Sequence, residues 1–119
     1  MIRLAVLGCG RIGQMHARNV SNHPDFSLAA VYDVNKEFGE KIANDLNVPL
    51  VSDDKEIFED KDIDAVLIAS PTDTHIEFIE KSVATNNPVY CEKPIDLDIL
   101  KVNECAKRLK ANKVPIHLG

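Results

Sequence analysis

"IRLAVLGCGRIG", residues 2–13, decides the fold. An apolar run of strand length, Ile2 to Leu7, leads straight into Gly8, Gly10 and Gly13. A helical pattern opens immediately after them, and that context turns a common glycine spacing into a specific one. Gly8 permits a tight turn. Gly10 lets a diphosphate approach the backbone, and Gly13 lets the helix pack closely on the strand. The N–H groups at Arg11 and Ile12, with the helix dipole behind them, then face the anion. These residues are the first candidates for cofactor binding.

The second strand, Ser27 to Tyr32, ends at Asp33, 20 residues after Gly13. A carboxylate there accepts hydrogen bonds from an adenosine ribose 2′-hydroxyl and repels a 2′-phosphate. The expected cofactor is therefore NAD, with NADP less favoured, although Lys36 nearby could partner a phosphate.

Further along, apolar runs keep alternating with helical periods. The first helix is expected to reach about Ser21, with Ile12, Met15 and Val20 inward. Asn35 is positioned to cap the next, with Phe38, Ile42 and Leu46 on one face. Pro49 to Val51 reads as a short third strand and Asp64 to Ser70 as a central one, apolar on both faces. Thr74 and Glu77 have capping-box spacing ahead of a stripe of Ile76, Ile79 and Val83. Val89 to Cys91 is the fifth strand. Asp96 is the expected cap of a helix burying Val102, Cys105, Ala106 and Leu109, and Val114 to Leu118 is the sixth strand. Such alternation predicts an α/β Rossmann fold: a doubly wound parallel sheet with strand order 3-2-1-4-5-6.

In that sheet, ligands lie at the carboxyl ends of the strands. Ser70, Thr72 and His75 lie at the end of the fourth strand; Cys91, Glu92, Lys93 and Pro94 lie at the end of the fifth. A partly buried lysine there could bond an alcohol oxygen and relay its proton. Bare of context, Lys93 would read as a solvated turn residue. For His75 the simplest role is a hydrogen bond to the loop or to the cofactor. His16 is expected to pack or to make an indirect contact.

"GCGRIG", Asp33, "SPTDTH" and "CEKP", in that order, resemble the Gfo/Idh/MocA oxidoreductases, and "GRIGQMHA" and "EKPIDLD" look nearest to the inositol 2-dehydrogenases. The resemblance implies an NAD-binding domain over residues 1–119. It also implies a C-terminal substrate domain that is absent from this chain and carries the oligomer contacts. It makes Lys93 catalytic, with an Asp and a His partner in that second domain. The expected activity is oxidation of a cyclic polyol's secondary hydroxyl to a ketone, incomplete in the isolated chain. An NAD-sensing module without redox chemistry is the alternative, though it leaves Glu-Lys-Pro unexplained. A nucleoside-cofactor transferase has no need of the diphosphate cradle.

Composition bounds the rest. The chain has 119 residues, 45% apolar, which suits one domain with a real core. Acids outnumber bases 19 to 14 for a net charge of −5, which argues against nucleic-acid or polybasic membrane partners. Three cysteines without C-x-x-C spacing suggest a reduced, cytoplasmic protein without disulfides or a zinc site. No apolar run approaches the ~20 residues of a membrane span, and "MIRLAVLG" reads as a strand rather than a signal peptide.

Overall fold

A computed structural model describes all residues from Met1 to Gly119. The elements are β1 (Ile2–Leu7), α1 (Arg11–Asn22), β2 (Phe26–Tyr32), α2 (Lys36–Leu46), α3 (Lys55–Phe58), β3 (Ala65–Ile68), α4 (His75–Ala84), β4 (Val89–Cys91), α5 (Ile99–Arg108) and β5 (Ile116–Leu118). A 3₁₀ turn, Thr72–Thr74, precedes α4. The five strands are all parallel, in the order β2-β1-β3-β4-β5.

Alternate residues of β1 face opposite sides of the sheet. Leu4 and Val6 pack with Ala17, Val20, Ile42 and Ala43, so α1 and α2 cover one face. Ala5 and Leu7 pack with Ile57, Phe58, Phe78 and Ile79, so α3 and α4 cover the other. β1 is buried on both sides, as the centre of a parallel sheet requires. The topology reverses beside β1, which opens a crevice at its carboxyl end.

The expected third strand is much reduced. Pro49 to Val51 contributes a single parallel bridge, Leu50 to Val31. Val31 donates to the Pro49 carbonyl at 3.0 Å, and Val51 donates to the Val31 carbonyl at 3.1 Å. Pro49 has no N–H to extend the ladder. The next donors, Ser52 and Asp53, turn instead to the Glu56 carboxylate at 2.9 and 3.1 Å. Counting the bridge as the outermost strand, the spatial order is the expected 3-2-1-4-5-6.

Several helix faces and caps differ from expectation. In α1, Val20 is buried as anticipated, but Ile12 and Met15 are exposed and Gly13 and Ala17 face the sheet. Close approach at the glycine loop selects small residues on that face. Phe38 of α2 is also exposed, whereas Ala106 of α5 is exposed and Cys105 alone of that helix is buried. Asn35 caps α2 as expected, accepting from the Glu37 and Phe38 amides at 3.1 and 3.4 Å. Helix α5 is capped by Asp98, which accepts from Leu100 at 2.9 Å; Asp96 instead braces the Asp98 amide. Thr74 forms no capping box, because its hydroxyl donates to the Pro71 carbonyl at 2.6 Å. No helix is long and apolar enough to cross a membrane.

Candidate functional site

The three loop glycines serve different ends. Gly8 has φ +103°, and a Cβ there would lie 2.4 Å from the Ser70 nitrogen. A Cβ at Gly13 would lie 1.7 Å from the Gly8 carbonyl oxygen. These two are glycines because the chain meets itself. Gly10 is different: a Cβ there would meet nothing within 4 Å. It faces open space at the start of α1, a helix with no side-chain cap and no acid in its first turn. Helices α2 and α5, by contrast, are capped by Asn35 and Asp98. Free N–H groups, a helix dipole, the exposed Arg11 and empty space together fit a diphosphate.

Asp33 closes the other wall. One carboxylate oxygen accepts from the Cys9 amide and the other from the Asn35 amide, each at 2.7 Å. The side chain thus ties the exit of β2 to the glycine loop. Each oxygen keeps a further lone pair for a ligand hydroxyl. The adjoining cleft, of about 380 Å³, brings together Gly8, Gly10, Arg11, Ile12, Asp33 and Ser70, all six singled out in the sequence. Val34, Phe38 and Pro71 also line it. Val34 carried no periodic signal, and Phe38 had the spacing of a core residue.

Burial, with the Asp33 charge beside it, pushes the Cys9 thiol up from 9.0 to about 12. Burial, with Glu92 nearby, does the same at Cys91. Neither thiol is an available nucleophile at neutral pH.

The second half of the site lies at the ends of β3 and β4. Thr72 falls in the 3₁₀ turn, half-buried, beside Ser70, whose hydroxyl is 2.6 Å from that of Thr74. Glu92 donates its N–H to Ile68 at 3.0 Å, and Lys93 donates its N–H to Gly119 at 3.2 Å. The Lys93–Pro94 peptide is cis. Lys93 is exposed rather than partly buried, and its ammonium forms no ion pair within the chain. The Glu92 carboxylate pairs with His16 of α1, a contact that spacing 76 residues apart could not announce.

His75 lies beneath the loops at the carboxyl ends of β3 and β4. It is only 2% exposed, with Nδ1 2.7 Å from the Pro94 carbonyl oxygen and Nε2 2.8 Å from that of Ser70. Both contacts are to carbonyl oxygens of the loops after β3 and β4. The cleft therefore collects the glycine loop, Asp33 and Ser70, while Glu92 and Lys93 stand on the same carboxyl edge one strand farther along.

The model of an oxidoreductase family with an NAD-binding Rossmann fold, GFO_IDH_MocA, matches residues 2–119. An inositol 2-dehydrogenase of Rhizobium meliloti is 40% identical over 99% of the chain, which spans 36% of that protein. A myo-inositol dehydrogenase structure from Corynebacterium glutamicum superposes with a TM-score of 0.94 at 37% identity, covering 100% of this chain and 36% of that one. A scyllo-inositol dehydrogenase structure from Lactobacillus casei, with bound NAD(H) and scyllo-inositol, gives a TM-score of 0.91 at 30% identity and the same coverage. The chain thus spans about a third of the length of these relatives.

Proposed function

The chain belongs to the GFO_IDH_MocA oxidoreductase family, and from that premise we propose that it is the cofactor-binding part of an NAD-dependent polyol dehydrogenase. The reaction is oxidation of a secondary hydroxyl of an inositol-like ring to a ketone. One observation carries the proposal: the cleft that joins an open, uncapped glycine loop to Asp33. The names of the relatives support the substrate class.

NAD would supply the hydride acceptor. The N–H groups at Gly10, Arg11, Ile12 and Gly13 would hold its diphosphate, and Asp33 would accept from its adenosine ribose. Asp33 favours NAD over NADP, since its charge repels a 2′-phosphate. Lys36, next to this site, lies 3.8 Å from Glu40, a second carboxylate that offsets part of its charge. Ser70, Thr72 and Glu92 would line the path toward the nicotinamide end. Lys93 would bond the substrate hydroxyl and pass on its proton.

The remaining substrate-orienting groups and any oligomer contacts are assigned to the rest of such an enzyme. The 119-residue chain alone is then expected to bind NAD and to turn over no inositol, because an unoriented alcohol forfeits ~7–11 kcal/mol of barrier lowering. Calorimetric titration of the chain with NAD and with NADP tests the proposal. Tighter NAD binding is expected; equal or tighter NADP binding would overturn the assignment.

A further inference from the structure

Lys93 is exposed and has no ionic partner of its own, yet its two neighbours in sequence are held from opposite faces of the sheet. On one face, His16 of α1 pairs through Nε2 with the Glu92 carboxylate, and the two side chains are only 15% and 24% exposed. The His16 and Tyr90 rings meet edge to face, with centroids 5.6 Å apart. On the other face, His75 of α4 reaches the Pro94 carbonyl through Nδ1 at 2.7 Å and the Ser70 carbonyl through Nε2 at 2.8 Å. Both of these partners are acceptors, so the bond to Pro94 requires hydrogen on Nδ1.

Each histidine is also tied to an element that lines the cleft. His16 lies on the helix whose N-terminus faces that cleft, and His75 is bonded to Ser70, which lines it. The strand before Lys93 is three residues long, and the turn's own backbone ties are the Glu92 and Lys93 amides. We propose that His16 and His75 are positioning residues that fix the Lys93 turn relative to the bound cofactor, one through Glu92 and one through Pro94. The proposal rests on the role given to Lys93 above.

Two measurements on the chain itself read the clamp directly. Ring ¹⁵N spectra should show hydrogen on Nδ1 of His75; a bare Nδ1 would overturn the proposal. Amide exchange at Glu92 and Lys93 should rise about tenfold in both His16→Gln and His75→Leu, with β1 and β3 amides unchanged. His75→Asn, which retains a donor, should recover much of the protection. Unchanged exchange in His16→Gln and in His75→Leu would also overturn it. If His75→Leu does not fold, the His16→Gln variant and the wild-type ring spectrum still decide.

In the whole enzyme, each histidine loss should lower kcat about 10–100-fold, since small misplacements of a reacting group cost that much. NAD affinity and the inositol KM should move little. Lys93→Met serves as the reference. If kcat falls in Lys93→Met but holds in both histidine variants, the clamp proposal alone fails. If kcat holds in Lys93→Met, the role of Lys93 fails and the clamp proposal falls with it.

Discussion

Asp33→Ala should cost stability as well as cofactor preference, because the carboxylate braces the chain before any ligand arrives. Two backbone donors depend on it, Cys9 and Asn35, each at 2.7 Å. The Cys9 residue is 1% exposed, so water cannot readily replace the lost acceptor. A hydrogen bond to a charged group contributes about 1.5–3 kcal/mol, and an unsatisfied buried donor costs about as much. The Asn35 amide is exposed, and water recovers most of its bond, leaving roughly 0.5–1 kcal/mol. The sum is about 2–4 kcal/mol. At roughly 4 °C per kcal/mol for a domain of this size, Tm should fall by about 8–16 °C. Asp33→Asn keeps one acceptor oxygen and should fall between wild type and Ala. Calorimetric melts give Tm, and titrations at a temperature where all variants are folded give the affinities. NAD should bind more weakly to Asp33→Ala, and its margin over NADP should shrink. A Tm loss under about 2 °C for Ala would show that the two bonds carry little weight.

Gly10→Ala should leave Tm unchanged and weaken NAD, because its Cβ enters open space that the diphosphate would occupy. Gly13→Ala should destabilise severely, its Cβ lying 1.7 Å from the Gly8 carbonyl oxygen; melts and titration separate the two effects. The thiols of Cys9 and Cys91, raised from 9.0 to about 12, keep their protons longer in the folded state. Their contribution to stability is therefore complete below pH 9 and lost as pH rises toward about 12, and Cys9→Ala should flatten that decline in alkaline melts. In a dehydrogenase of the proposed kind, Lys93→Met should leave NAD affinity nearly unchanged and lower kcat about 10²–10⁴-fold, measured on one preparation.

The strand–glycine–helix junction, the acid after the second strand and the β–helix alternation were all legible in the sequence. They are local: steric needs at Gly8 and Gly13, a cap at Asn35 and periodicity within single elements specify them. What went astray needed neighbours. Ile12, Met15 and Phe38 have core spacing, but the sheet approaches these helices on another face or leaves their ends bare at the rim. Pro49–Val51 has a strand's composition, yet the Glu56 carboxylate draws its following amides out of the ladder.

The Lys93 turn divides the same way. Lys93 and Pro94 announce themselves by residue type. The partners that hold them do not, because His16 and His75 come from helices on opposite sheet faces, 76 and 19 residues distant from the groups they bind. The sequence by itself determined that a parallel sheet would carry a glycine loop and an acid on one edge, since backbone sterics and periodicity are written residue by residue. Only the tertiary structure decided which side chains meet across that edge. Those contacts depend on crossovers that bring β1, β2, β3 and β4 together in space, and no spacing along the chain records that proximity.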